Sequence, residues 1–259
     1  MHCLILAGGE VSPEDPLYLY TNGRSKALID MGGRTMLERI VEALQSSKEV
    51  EDILVVGIDP EIASQQNFLF NRPVYFVADQ GSMFANMLAG IAWFRHHQPQ
   101  MEVVLGCSAD IPAITAAVVD RFIDFCRPWD KAVYYSFIGR ETLESRFPLS
   151  KRTYSRISGR EVAGGDMAIA RMEVVEQNQE LIESLTGARK KPWQVARVVG
   201  LGMLIKFLFR RVTFEDIEET AGRILGMPTS AVLFDRAEIA MDADKPHQVE
   251  LLRAEFSQV

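Results

Sequence analysis

The chain has 259 residues, enough for one large α/β domain or two small ones around a sizeable core. Its net charge of -7 argues against nucleic-acid binding, which relies on lysine and arginine to neutralise phosphates, but still allows a local basic pocket for a single nucleotide. With 47% hydrophobic and 24% charged residues, no run of 18 apolar residues and no charged start leading into a long apolar stretch, the composition predicts a cytoplasmic globular protein without a transmembrane segment or signal peptide.

Residues 2–6 read as a short buried strand. Met36, Leu37, Ile40, Val41 and Leu44 recur at helical spacing, which predicts an amphipathic helix over 35–44. Strands follow at 53–57 and 74–77, a helix at 83–94 and a strand at 103–107. Thr115 then caps a helix carrying Val118, Val119, Phe122 and Ile123, and a strand covers 132–137. Cys3, Cys107 and Cys126 show no paired spacing, which argues against a disulfide framework and a zinc knuckle; Cys3 and Cys107 lie in strand-like runs and are expected to be buried thiols. Beyond residue 140 the pattern loosens. Residues 152–162 read as an irregular excursion, 167–172 as a strand and 173–185 as helical. Thr213 with Asp216 resembles a capping box for a helix ending before Gly226, short strands are expected at 231–234 and 239–241, and Pro246 opens a closing helix to 256.

Alternating strands and helices predict βαβ units, hence a mostly parallel sheet with helices on both faces: a three-layer αβα, Rossmann-like architecture with a helical C-terminal elaboration. One domain over 1–259 is the simplest account, with 1–140 as the core and 141–259 as the elaboration. The apolar run 198–212, interrupted by Lys206, Arg210 and Arg211, is too short to span a bilayer. Core packing ranks first for it, a homodimer contact second and a membrane interface third.

Leu4-Ile5-Leu6-Ala7-Gly8-Gly9 is a strand running into paired glycines. Without a Cβ the backbone there can approach a ligand closely, and its N–H groups suit anionic oxygens. In an open parallel sheet, ligands sit beyond the carboxyl ends of the strands, where this loop lies. Neither a Walker P-loop nor a G-x-G-x-x-G occurs, and a plain strand-ending turn explains paired glycines equally well. Downstream, Arg24-Ser25-Lys26-Ala27-Leu28 precedes Gly32-Gly33-Arg34-Thr35-Met36-Leu37. Together these segments resemble the MobA-like nucleotidyltransferases, of the nucleotide-diphospho-sugar transferase fold.

The resemblance implies that Leu6, Ala7, Gly8 and Gly9 wrap the base and phosphates of a nucleoside triphosphate. It also implies that Lys26, assisted by Arg24, contacts the triphosphate and offsets transition-state charge. The loop 10–23 is longer than usual for the family; it forms either a lid with a tyrosine on the base or a surface loop with Tyr18 and Tyr20 packed down.

Val103-Val104-Leu105-Gly106-Cys107-Ser108-Ala109-Asp110-Ile111-Pro112 ends a strand in an aspartate, from which a carboxylate can reach phosphates held by the first loop. Mg²⁺ takes one or two carboxylates plus substrate phosphates. The resemblance places a metal-binding residue at Asp110, the alternative being a turn cap. It places a second carboxylate at Asp244, with Asp242 as a further candidate two positions away on the same side of a strand; helix capping by Asp244 is compatible with either. His247 stands where the family usually has an acid. Gly81, Ser82 and Asn86 match a base- or ribose-binding turn, although a plain N-cap by Ser82 accounts for the same residues. Gly165 and Asp166 match an acceptor-facing unit. Arg152, Arg156 and Arg160 are acceptor-phosphate candidates, with a solvated basic face favoured for them.

The parts imply a Mg²⁺-dependent transfer of a nucleotidyl group from GTP or CTP to a small phosphorylated acceptor, with pyrophosphate leaving. Two alternatives remain: a glycosyltransferase of the same fold, disfavoured because Ser108-Ala109-Asp110 lacks the first acid of an Asp-x-Asp, and a nucleotide-binding protein without turnover.

Overall fold

Strand β1 (Cys3–Leu6) and strand β2 (Ile53–Val56) lie side by side, and alternate residues of each feed opposite cores. Cys3, Ile5, Ile53 and Val55 belong to one apolar cluster; Leu4, Leu54 and Val56 belong to another. Period-two alternation between two dry faces is what a sheet covered on both sides requires. The computed structural model describes residues 1–9, 11–179 and 198–257. Within them β3 (Tyr75–Val77), β4 (Val103–Ser108), β5 (Val133–Gly139), β6 (Ser155–Ile157), β7 (Arg160–Arg171) and β8 (Ser230–Phe234) complete the sheet. Its order is β3-β2-β1-β4-β7-β5-β8, with β6 paired to β7. Contacts among β1–β4 are parallel, as is β5 with β8; β7 runs antiparallel to both β4 and β5.

The helix Met36–Gln45 packs Met36, Leu37, Ile40, Val41 and Leu44 into the first cluster, and Thr35 with Glu38 forms its capping box. On the opposite face Met83–His97, capped by Ser82, contributes Phe84, Ile91 and Phe94 to the second cluster. The three-layer αβα architecture is therefore present. Thr115 caps Ala116–Phe125, Thr213 and Asp216 form a capping box for Phe214–Leu225, and Gly226 ends that helix at φ 72°. The three cysteines are buried and free, and burial pushes their thiols up, Cys126 to about 12.

Several expectations beyond residue 140 are corrected. The stretch 152–162 is largely a hairpin, β6 and the start of β7, and the strand expected at 167–172 begins at Arg160. Gly165 and Asp166 thus lie within a strand rather than before one. The strand expected at 239–241 is a 3₁₀ turn, Ala237–Ala240. Of the helix expected over 173–185, Met172–Gln177 is formed, and 180–185 lies outside the described residues. The first-ranked placement of 198–212 in the core is overturned for all of it but Val212: the helix Leu201–Leu208 has no buried residue, and Phe207 and Leu208 are 67% and 75% exposed. In the first loop, Tyr18 and Tyr20 pack against the core, with Arg253 over the Tyr20 ring, so the packed-down alternative is the observed one. None of the described helices is long and apolar enough to cross a membrane.

Candidate nucleotide site at the carboxyl end of the sheet

Beyond Leu6 the chain turns at Gly8 and Gly9, and the turn is held by one polar network built on the buried Asn86. A Cβ on Gly8 would stand 2.1 Å from the Asn86 amide nitrogen and 2.8 Å from an Asp79 oxygen. No side chain fits there, so glycine at 8 serves close internal packing. Asp79 accepts from the Gly9 N–H at 3.1 Å, from the Gly81 N–H at 3.1 Å and from Asn86 Nδ2 at 2.8 Å; Asn86 Oδ1 accepts from Gln80 N–H at 2.7 Å. Burial works to raise the Asp79 carboxyl, but these donors outweigh it and hold it below the usual carboxylate range. Asn86 is 2% exposed and Ser82 caps its helix through the Ala85 N–H. Of the three residues expected to touch base or ribose, Ser82 and Asn86 thus have identified structural work, and Gly81 is at the turn with φ 83°.

Ser25 ties the lysine segment to the glycine turn by donating to the Ala7 carbonyl at 2.7 Å. Its oxygen also caps the 3₁₀ turn Lys26–Leu28. Arg24, a residue earlier, donates to the Thr21 carbonyl at 3.3 Å. From that turn the Lys26 ammonium lies between Asp110 and Asp244, in contact with both carboxylates. Asp110 is 6% exposed and takes a hydrogen bond from Ser108 Oγ. Its carbonyl accepts from Ala243 N–H at 2.9 Å, which docks the C-terminal loop against the end of β4. Gln248, 1% exposed, accepts from the Asp244 N–H at 3.1 Å and donates to the Ser150 carbonyl at 3.2 Å, fixing that loop from below. Burial opposes a charged ammonium, yet the two carboxylates raise Lys26 above its ordinary value. Burial likewise works against the charge of Asp244, and Lys26 overcomes it, so that carboxyl is lowered.

Strand β7 brings Asp166 to the same place. Met167 pairs with Cys107, so Asp166 emerges beside the end of β4. The β5 register shifts between Tyr135 and Phe137, which pair with Ala168 and Gly164. Three β7 residues, 165–167, therefore oppose Ser136 alone. Such a bulge bends a strand and re-aims its side chains. Ser136 Oγ donates to the Met167 carbonyl at 2.7 Å, and a Cβ at Gly165 would stand 2.3 Å from that oxygen. Glycine at 165 is thus explained by the bulge, while Asp166 faces Asp110 and Asp242.

Arg152 crosses behind these acids. It pairs with Asp242, approaches Asp166 at 3.8 Å and donates to the Gly164 carbonyl at 3.3 Å. The favoured placement of Arg152 on a solvated basic face is corrected, since its side chain is 16% exposed; Arg156 and Arg160 are exposed. Asp242 and Asp244 reach the site from a loop rather than a strand. Burial, then Asp110 and Asp242, push Asp166 up to about 8. Burial also drives Asp242 up to about 6, against the pull of Arg152.

Four aspartates thus influence one another through two cations, leaving an excess of negative charge. Asp166 Oδ2 and Asp242 Oδ1 are buried without a hydrogen-bond partner. Among the described residues no three acids, histidines or cysteines form a ready-made cation cage. That donor set fits a hard divalent cation completed by ligand phosphates better than one enclosed by protein alone. Sequence reasoning missed Asp79, Ser25, Ser136 and Gln248 as supports of this site; only Ser25, adjacent to Lys26, carried a local signal.

A mostly parallel sheet covered on both faces places ligands beyond the carboxyl ends of its strands, and the lysine–carboxylate cluster lies there. The chain belongs to the MobA-like NTP transferase domain family, whose model matches residues 3–223. It is a nucleotidyltransferase by family. A hypothetical transferase from Thermus thermophilus is similar at 28% identity, covering 96% of this chain and 98% of that one, with a TM-score of 0.79. Two more distant structures share the fold. They are the 4-diphosphocytidyl-2C-methyl-D-erythritol synthase of Anaerococcus prevotii DSM 20548 (13% identity, 98% and 94% covered, TM-score 0.60) and a CMP:2-keto-3-deoxy-manno-octonic acid synthetase complexed with CTP (14%, 99% and 98%, TM-score 0.58).

Proposed function

We propose that this protein is a Mg²⁺-dependent enzyme that transfers the nucleotidyl group of a nucleoside triphosphate, GTP or CTP, to a small phosphorylated acceptor. The observation that carries the reading is the contact of Lys26 with both Asp110 and Asp244 beside the Gly8–Gly9 turn. An acceptor phosphate oxygen forms a bond to the α-phosphorus, the bond from that phosphorus to the bridging oxygen breaks, and the electron pair leaves with pyrophosphate. The nucleophile is already ionised near neutrality, so no general base is needed. Positioning and charge neutralisation carry such transfers.

Asp110 and Asp244 would hold Mg²⁺, which supplies Lewis-acid neutralisation of the phosphates. Lys26 would then exchange its carboxylate partners for triphosphate oxygens. Arg24 lies close by, and the Leu6–Gly9 backbone would line the nucleotide. Gly81 would border the base or ribose, with Ser82 and Asn86 holding that turn in place. Asp166 and Gly165 would face the acceptor.

The test is pyrophosphate release from each of the four triphosphates with Mg²⁺ and a panel of phosphomonoesters, paired with thermal shifts. A triphosphate at a hundred times its dissociation constant should add about 2.7 kcal/mol. No shift with any triphosphate overturns the reading. Binding without pyrophosphate release moves it to a non-catalytic nucleotide binder. Persistence of the Mg²⁺-dependent shift in Asp110→Ala removes the metal assignment.

A further inference from the structure

The helix Leu201–Leu208 stands apart from the chemistry above. Leu201, Ile205 and Leu208 recur at helical spacing and are 72%, 48% and 75% exposed; Phe207, on another flank of the helix, and Phe209, just past its end, are each 67% exposed. Large apolar side chains concentrated like this on a surface mark an interaction site. The chain just past the helix is tied to the β6–β7 turn. Val212 is buried there, its carbonyl accepts from Ser158 N–H at 2.8 Å, and Phe214 N–H donates to Ser158 Oγ at 3.0 Å. The apolar helix and the β6–β7 turn therefore form one surface, enclosing a cleft of about 1070 Å³ lined by Tyr154, Arg156, Leu204, Phe207, Leu208 and Arg210.

Its charge indicates what covers it. Glu161 on the cleft wall, at 3.1 Å from Arg140, shares that cation with Glu144 and is one negative charge against the arginines of the rim, and Asp216 is paired with Lys206. Among the described residues no carboxylate pairs with Arg156, Arg210 or Arg211, so the apolar patch has a net basic rim on a chain whose total charge is -7. A second copy meeting this patch isologously would bring that rim against itself. An anionic bilayer complements both parts, taking aromatic and leucine side chains into its headgroup boundary and attracting the arginines. A helix of eight residues, about 12 Å long, is suited to lie on a bilayer rather than cross it.

We propose that Leu201–Phe209, with Arg156, Arg210 and Arg211, is an interfacial anchor that docks this protein on an anionic lipid surface. The anchor sits at the start of β7, the strand that carries Asp166. Docking would therefore hold the candidate site within a few nanometres of the membrane. The inference does not depend on nucleotide chemistry.

The test is flotation of the full chain with phosphatidylglycerol–phosphatidylcholine vesicles and with phosphatidylcholine vesicles, at low and high salt. Binding should favour the anionic vesicles and weaken with salt. Combined Arg210→Glu and Arg211→Glu should lower the partition coefficient roughly twenty-fold or more, at about a kcal/mol per basic residue near the surface. Combined Phe207→Ser, Leu208→Ser and Phe209→Ser should abolish it, with circular dichroism and triphosphate-induced thermal shifts unchanged because these side chains are exposed. No flotation with either vesicle overturns the proposal. So does equal binding to both, or binding that survives the charge reversal. A dimer in solution that the serine variant splits assigns the face to a second copy and overturns it as well.

Discussion

The Lys26 ammonium contacts the carboxylate of Asp244, 218 residues further along the chain, while also holding Asp110. One protein cation thus occupies the space between the two acids proposed to bind Mg²⁺. Lysine and metal would compete for the same oxygens until a triphosphate draws the lysine away. Lys26→Met should therefore cost about 1–3 kcal/mol in chelator, from the stranded Asp110 charge, discounted for the partial exposure of the pair. It should gain more thermal stability from Mg²⁺ alone than the wild type does. Pyrophosphate release should fall by about a hundred-fold or more. Equal Mg²⁺ responses in the two proteins would show that the acids and the metal do not share this position.

Arg152 and Asp242 form the second ion pair of the cluster, and both side chains are largely buried. Arg152→Met strands Asp242, whose carboxyl is already raised, and should cost about 3 kcal/mol. Asp242→Asn in the same background should recover much of that loss, because it removes the unpaired charge. Urea unfolding of the two single variants and the double variant gives the coupling directly. Simple additivity would mean that the pair contributes no interaction of its own.

How far this site is legible in the sequence follows the range of the interactions. Ala7-Gly8-Gly9 and Lys26 are local sequence patterns, as are the helix over 35–44 and the capping box at Thr213, and that helix and that box form where their spacing predicts. Strand β7 depends on pairing with β4 and β5, from 23 (Gly139 to Val162) to 68 (Val103 to Arg171) residues away, and Arg160, Glu161 and two glycines mask its apolar alternation. Asp166 enters the site through a bulge that exists only in that pairing. Arg152 reads as one of three surface arginines until Asp242, far along the chain, is folded against it. The apolarity of Phe207, Leu208 and Phe209 is plain in the sequence, but apolarity alone does not reveal whether the chain itself covers them.

Asn86 tests the glycine turn without touching the acids. Its amide holds Asp79 and the Gln80 N–H in a space that Gly8 leaves open. Asn86→Ala should cost about 1–3 kcal/mol by orphaning those partners. It should weaken triphosphate binding more than Mg²⁺ binding, since the turn loosens while Asp110 and Asp244 stay in place. Isothermal titration with a triphosphate and with Mg²⁺ separates the two effects. An unchanged triphosphate affinity would disconnect this network from nucleotide binding.

Asp166 predicts a pH dependence whose sign follows from its elevated carboxyl. Burial and the neighbouring Asp110 and Asp242 charges raise it from an ordinary 3.8 to about 8. Below pH 4 the group is neutral in folded and unfolded chains alike and costs nothing. Between about pH 4 and pH 8 the folded protein retains a proton that the unfolded chain has released. The contribution of Asp166 therefore becomes steadily more unfavourable as pH rises through that window, and levels off above it. Asp166→Asn, neutral throughout, should match the wild type near pH 4 and exceed its stability by about 1–2 kcal/mol near pH 8, a figure discounted for residual solvent access. The comparison is made by urea unfolding in chelator. Saturating Mg²⁺ should then flatten the wild-type slope, because a nearby cation favours the ionised carboxylate. Parallel curves for the two proteins from pH 5 to 8 would mean that Asp166 is ionised in the fold and that the four acids are less tightly gathered than their geometry implies.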